Sequence, residues 1–341
     1  MLRAAGLAGR VAAVSIGVTT ACLSLVLSSG ASVAAQAEPL PVAFGAAVAS
    51  NAKGDVATAE PRLVSDPNVL WVGTADEGSW TSTWGQTGAG QLSNTAQTTA
   101  PAGGHGKAIR ISNAGGGTSG DRWGYDGRFG FNAAGVANQD EAYLRYYVYF
   151  PAGYEFDTQG KMPGLQGVDP GGSPWLANNS ITCTSGPYTG KDCHDDRQFG
   201  TRTMWKNGGM ITYLNVVALG TQDRDSLRTA SGDNYSFSQR YQDASGTALT
   251  FKSGWNYVEQ HVKLNTPGTS NGVFEGWING VRGVNLTNVQ YRTSAHPSLR
   301  ISQWNLAHFW GGPTTDYPQR ATEVFYDDFA ISRAPIGGRQ N

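Results

Sequence analysis

Two short runs of this 341-residue chain put a guanidinium and a phenol within reach of each other. Thr201-Arg202-Thr203-Met204-Trp205 and Met210-Ile211-Thr212-Tyr213-Leu214-Asn215 are separated by Asn207-Gly208-Gly209, a run suited to a tight turn. Folded as a hairpin, they set Arg202 on a strand antiparallel to, and paired with, the strand of Tyr213. Arg202 and Met204 share one face, and so do Ile211, Tyr213 and Asn215. Where these faces coincide, the cation lowers the pKa of the phenol and makes it a usable base.

Other residues bring related chemistry. Lys161 opens Lys161-Met162-Pro163-Gly164-Leu165-Gln166-Gly167 and adds a second cation. Between Gln303 and Gly312, period-two alternation puts Trp304, His308 and Trp310 on one face. On a concave sheet exposed tryptophans stack on sugar rings; turned inward, the same residues are core. His105 and His308 are candidate bases because imidazole titrates near neutrality. Asp327 and Asp328 carry cation-binding oxygens, but strict alternation sends them to opposite faces and argues against one shared site. Each residue taken singly also has an ordinary structural reading, as a solvated strand end, an outer-face arginine or half-buried packing.

The elements that would position these groups are strands. Tyr143–Phe150 alternates Leu144, Tyr146, Val148 and Phe150 against Tyr143, Arg145, Tyr147 and Tyr149. Tyr257–Leu264 sets Val258, Val262 and Leu264 against Glu259, His261 and Lys263. Asn279-Gly280, between Val273–Ile278 and Val281, is a strong hairpin signal. Phe325, Phe329 and Ile331 alternate with Tyr326, Asp328 and Ala330 in a closing strand. Many strands between turns, without helical periods or internal repeats, predict an all-β fold, a jelly-roll β-sandwich with a concave substrate cleft. Gly115-Gly116-Gly117 and Gly171-Gly172 open no helix and are read as loops.

Composition agrees: 46 Gly, 10 Trp and 14 Tyr suit turns and aromatic-rich sheets. Arg3 and Arg10, an apolar run from Val11 to about Leu27 and Ala35-Gln36-Ala37 read as a signal peptide over 1–37, cleaved near Ala37, so the protein is expected to be secreted. The run is too short and too broken by Ser and Thr for a membrane span. Residues 38–65 are read as a linker or irregular lead-in and 66–341 as one domain. Cleavage leaves 23 basic against 26 acidic residues, a formal charge of −3. That balance offers no footprint for nucleic acid, yet a cationic cleft for an anionic substrate remains compatible with it. Cys183 and Cys193 are expected to form a disulfide in an exported protein; Cys193-His194 lacks the further ligands of a zinc site.

Several of these runs, in order, resemble polysaccharide lyase family 14. They are the Lys161–Gly167 and Arg202–Trp205 segments with the following Gly-Gly turn, the strand tyrosine, Gly254-Trp255 with Val258-Glu259-Gln260, Lys263–Gly268, Gly276–Gly280 and Phe325–Ser332. The resemblance spans roughly residues 140 to 332. It implies a β-jelly roll acting on alginate or related polyuronates by β-elimination, with the glucuronan lyases as neighbours in fold. It also implies that Lys161 and Arg202 match the family's lysine and arginine, as carboxylate neutralisers or subsite cations. Tyr213 matches the first tyrosine of a Tyr-x-Tyr pair, as acid or base. Gly200 stands where the family tends to have Ser, and Asn215 where it has the second tyrosine; an amide can hydrogen-bond a carboxylate but cannot act as a base. Gln166, Asn215, Gln303, Asn305, Trp304, His308, Trp310 and His105 are expected to contact substrate, with Tyr213, Arg202 and Lys161 catalytic.

The leading expectation is therefore a secreted lyase that works as a monomer on an anionic polysaccharide, without cofactor, metal, nucleic-acid or membrane partner. A non-catalytic carbohydrate-binding protein on the same fold is the second, favoured by Gly200 and Asn215. A glycoside hydrolase ranks third, because no Glu-x-Asp-x-x-Glu run supplies its paired carboxylates on a strand.

Overall fold

The computed structural model describes residues 60–76, 78–117, 124–169, 180–182, 192–194, 196–223, 237–310 and 317–339. Cys183 lies outside these residues, as does the side chain of Cys193, and so therefore does the expected disulfide. The signal segment also lies outside them. No helix among the described residues is long and apolar enough to cross a membrane.

Strands dominate. The first are β1 (Val69–Gly73), β2 (Gln86–Gly90), β3 (Thr95–Thr99), β4 (Lys107–Asn113), β5 (Tyr125–Gly130), β6 (Glu141–Phe150), β7 (Gln159–Met162), β8 (Gly164–Val168), β9 (Ser180–Thr182) and β10 (Asp192–His194). Then come β11 (Gln198–Lys206), β12 (Gly209–Asn215), β13 (Ala218–Leu219), β14 (Gln222–Asp223), β15 (Gly254–Lys263), β16 (Gly272–Ile278), β17 (Val281–Gln290), β18 (Ile301–Trp310) and β19 (Thr322–Ser332). Among the described residues the two α-helices, α1 (Pro61–Ser65) and α2 (Trp80–Thr83), are single turns. A ten-stranded sheet runs β14-β13-β17-β16-β15-β6-β19-β4-β3, with β1 added against β19. A seven-stranded sheet runs β12-β11-β7-β18-β5-β2, and β8 continues the place of β7 between β11 and β18. All pairings are antiparallel.

The two sheets pack face to face because each strand turns one side inward. On β6 the residues Leu144, Tyr146, Val148 and Phe150 are fully buried, as alternation requires. They meet a core of aromatics in which Trp304 of β18 stacks on Phe129 of β5 at 4.4 Å and on Phe329 of β19 at 4.8 Å. The β11–β12 hairpin turns on Asn207 and Gly208, both at positive φ (50° and 78°), and the β16–β17 hairpin on Asn279 and Gly280 (50° and 84°). Mirror-image turns of this kind match the right-handed twist of the strands.

The alternation expected in the closing strand fails at one place. A register irregularity in β19 lies between Asp327 and Ala330, and Asp328 has φ 47°. This bulge puts both aspartates against the Arg339 guanidinium, so they share one cation after all, a side chain rather than a metal. The expected lead-in is also built into the domain at its end: Leu63 of α1 is buried, and the Glu60 carboxylate is paired with the buried Arg145.

One feature of the second sheet positions the site. Pro163, which has no N–H, separates β7 from β8, and the backbone groups around it find side-chain partners from both faces. From the outer face Asn305 Oδ1 accepts the Gly164 N–H at 3.0 Å. From the core Gln260, on the opposite sheet, accepts the Leu165 N–H at 3.2 Å and donates to the Pro163 carbonyl at 3.1 Å. Thr201 Oγ1 stands 2.9 Å from both the Leu165 carbonyl and Gln260 Oε1. Gln260 is fully buried, so its loss strands these groups in the core. Gln260→Leu is expected to lower stability by about 1–3 kcal/mol, read from urea unfolding; an unchanged midpoint would show that the strand break holds without it.

Candidate active site

Strand register brings the expected residues onto the outer face of the seven-stranded sheet in three cross-strand rows. Arg202 is the direct partner of Tyr213 across the β11–β12 hairpin. In the next row Gly200 pairs with Asn215 on one side and with Gln166 on the other, and Gln166 pairs with Gln303. In the third, Met204 pairs with Ile211 and with Lys161, and Lys161 pairs with Phe309. The middle row continues past Arg202 through Gly164, which pairs with Asn305, and Asn305 pairs with Arg128 of β5. Gly164 is required there: a Cβ would come within 2.6 Å of Arg202 Cα. Directly opposed residues share a face, so Lys161, Arg202, Tyr213, Asn215, Gln166, Gln303, Asn305 and Arg128 belong to one surface.

The cations and the phenol are in contact. Lys161 Nζ sits 3.5 Å from the centre of the Tyr213 ring and 3.0 Å from Met204 Sδ. The Arg202 guanidinium lies 5.5 Å from the same ring and 5.9 Å from that of Phe309. Among the described residues no carboxylate forms an ion pair with Lys161. Burial, and then the positive charges of Arg202 and Lys206, hold its pKa well below the usual lysine value. Burial also lowers the pKa of Arg202; Asp126 opposes that shift and Arg128 adds to it. Such an amine gives up its proton far more readily than a solvated lysine, and a guanidinium beside it remains charged.

Hydrogen bonds orient the amides of this face. Gln303 Nε2 donates to Gln166 Oε1 at 3.0 Å. Asn305 spends its oxygen on Gly164, which turns its N–H2 group outward, and neither Asn305 Nδ2 nor Gln166 Nε2 has a partner among the described residues. Arg202 is 2% exposed, and Gln166 and Asn305 are fully buried although they point away from the core.

Three expected sugar contacts belong to the core instead. Trp304, His308 and Trp310 do share a face, but it is the inner one, and all three are buried. His308 accepts from or donates to Tyr154 (3.0 Å) and Tyr326 (2.8 Å) and stacks on Trp205. Burial depresses its pKa to about 3, so it stays neutral and cannot serve as a solvent-linked base. His105 lies in the β3–β4 turn of the other sheet, where its charged neighbours are Arg339, Glu60 and Asp76; it takes no part in this site. Among the described residues no group of three or more His, Cys, Asp or Glu side chains could hold a metal.

The structure adds Asp126, Arg128 and Phe309, which sequence reasoning missed. The Arg128 guanidinium grips Asp126 with two hydrogen bonds, one of them 3.1 Å long. The signal was present: Tyr125, Gly127 and Phe129 alternate with Asp126, Arg128 and Gly130, a period-two strand that sends the ion pair to one face.

A family model described as Polysaccharide lyase 14 matches residues 104–329. Among solved structures, the chain is similar to the marine PL-14 alginate lyase from Aplysia kurodai, with 18% identity and a TM-score of 0.57 over 77% of this chain and 98% of that one. It is also similar to the alginate lyase vAL-1 from Chlorella virus, with 18% identity and a TM-score of 0.53 over 74% and 93%. At such identities the likeness to these structures is one of fold. No curated protein matches the sequence.

Gly200 has room for a side chain: an added Cβ would lie 3.8 Å from Gln166 Nε2 and 4.0 Å from Asn215 Nδ2. Gly200→Ser removes a strand glycine, worth about 0.5 kcal/mol or more, and gives Gln166 an acceptor. The thermal midpoint is expected to hold or rise; a fall of several degrees would show that the space is not available.

Proposed function

The chain belongs to polysaccharide lyase family 14, and from that premise we propose that it cleaves a uronic-acid-containing polysaccharide of the alginate or glucuronan type by β-elimination. It is a polysaccharide lyase; the polymer, the residue roles and the site of action are our reading. One observation carries them: the Lys161 amine rests on the Tyr213 ring, beside Arg202, with no acidic partner among the described residues.

The reaction removes the C5 proton of a uronate, forms the C4–C5 double bond and breaks the C4–O bond. The C5 proton is weakly acidic because the neighbouring carboxylate is already negative. Arg202 supplies the positive charge that the carboxylate needs as charge builds on it. Lys161, its proton loosened by burial and by two neighbouring cations, is the base that takes the C5 proton. Tyr213 brings an O–H for the departing C4 oxygen, and the protonated amine on its ring can then return a proton to the phenolate. This reverses the emphasis drawn from sequence, which gave Lys161 a neutralising role. A cation without a carboxylate partner, held next to another cation, is better suited to giving up its charge than to lending it.

The N-terminal Arg3 and Arg10, the apolar run and Ala35-Gln36-Ala37 support export of an enzyme that meets its polymer outside the cell.

Incubation with alginate and with glucuronan is expected to raise ultraviolet absorbance from the unsaturated uronate. Binding without absorbance would favour the lectin-like alternative, and new reducing ends without absorbance a hydrolase. Lys161→Met and Tyr213→Phe are each expected to cost at least about 10²-fold in turnover. Because the base works only when unprotonated, kcat/KM should climb with pH through the lowered Lys161 pKa and level off well before that of a free lysine; a rate that falls across this range would remove Lys161 as the base. Lys161→Met should also raise the thermal midpoint, since it removes a half-buried cation beside two others.

A further inference from the structure

Two further cations stand on the same face, at the turn end of the β11–β12 hairpin. Along β11 the alternation that puts Arg202 and Met204 on the outer face puts Lys206 there too, and Lys206 is exposed. Beyond β12 the chain returns at residues 237–240 and extends the sheet through two bridges, Leu214 with Phe237 and Ile211 with Arg240. The Thr212 N–H donates to the Gln239 carbonyl at 2.8 Å and the Tyr241 N–H to the Met210 carbonyl at 2.9 Å, and Phe237 and Tyr241 are buried. The third row therefore runs Phe309, Lys161, Met204, Ile211, Arg240, with an exposed arginine at its end.

Arg240 reaches toward Lys206. The direct partner of Lys206 is Gly209, and a Cβ on Gly209 would lie 3.3 Å from Arg240 Nη1. Glycine at 209 thus leaves the guanidinium room in the row of Lys206. Among the described residues neither cation forms an ion pair, and neither do Lys161 and Arg202. Asp157, exposed in the turn before β7, pairs with none of the four. Arginines elsewhere on the surface differ: Arg110, Arg282 and Arg320 each have a glutamate, at 3.9, 2.9 and 2.9 Å. Like charges gathered on one face without carboxylates repel one another, and a polyanion relieves that repulsion. Lys206 is four residues from Arg202, about 13 Å along the strand. That separation fits two carboxylates of one polymer, not two oxygens of one carboxylate.

We propose that Lys206 and Arg240 form a second anion subsite, outside the reacting centre, which takes the carboxylate of another uronate of the same polymer. The polymer then lies along β11 from Arg202 toward the hairpin turn. The inference rests on the lyase reading of this face and narrows its substrate: a run of uronates long enough to reach both subsites binds more tightly than one whose charge is confined to the reacting centre.

Because the charge of Lys206 also loosens the Lys161 proton, kinetics are compared at the pH where kcat/KM has levelled off. There Lys206→Gln and Arg240→Gln are each expected to raise KM for alginate or glucuronan about threefold, and the double variant about tenfold, with kcat within about twofold of wild type. Wild-type KM should climb with ionic strength, and that of the double variant should climb less. The charge-keeping double variant Lys206→Arg/Arg240→Lys should retain the wild-type KM. Equilibrium binding of the polymer to Lys161→Met, with and without the two Gln substitutions, reads the subsite without turnover, and affinity should fall by the same factor. Unchanged KM and affinity in the double Gln variant, a loss confined to kcat, or a charge-keeping variant as weak as the Gln one would overturn the proposal. Wild-type enzyme that yields no unsaturated product from either polymer would instead remove the lyase reading, while the binding comparison still decides the subsite.

Discussion

A strand broken at a proline is the constraint from which the site follows. Without the break at Pro163, β7 and β8 would be one strand of strict alternation, and Lys161 and Gly164, three residues apart, would face opposite sides. With it, Lys161 and Gln166 both project from the outer face, and glycine at 164 lets the backbone close on Arg202. The break leaves peptide groups without ladder partners, and buried peptide groups must find others. Gln260 reaches across the sandwich from β15 and Asn305 reaches over from β18 to supply them. Core and site are thus tied at one point: an amide inside the sandwich fixes a lysine outside it.

Several polar groups are buried on the face directed away from the core. Arg202, Gln166, Asn215, Asn305 and Arg128 stand side by side at strand spacing, each at most 2% exposed. In that setting a positive charge is costly, and the cost falls on the group that can shed it. A guanidinium holds its proton under nearly all conditions, whereas an amine does not. Lys161 therefore yields to Arg202, and two residues of like charge acquire different chemistry from their neighbours alone.

Much of this was legible in the chain. The Asn-Gly turns, the alternation of β6 and β15 and the pairing of Arg202 with Tyr213 depend on local rules: a two-residue turn sets the register, and register decides which side chains oppose each other. The Trp304, His308 and Trp310 set was legible only in part. Period two correctly put the three on one face, yet nothing local says which face meets the other sheet. Asp327 and Asp328 were misjudged for a related reason, since the bulge that turns both toward Arg339 is imposed by the fit of β19 between its neighbours. His105 was a histidine on a polar turn, and the turn belongs to the other sheet.

The sequence by itself determined the secondary structure, the hairpins and the identity of the groups able to do acid–base chemistry, because these depend on side-chain type and on contacts a few residues apart. Only the tertiary structure decided which side of β18 is core, which lysine has its pKa lowered and how Asp126 and Arg128 enter the row. Burial and electrostatic fields come from residues far apart in the chain, and their sign and size exist only once the sheets have closed on each other.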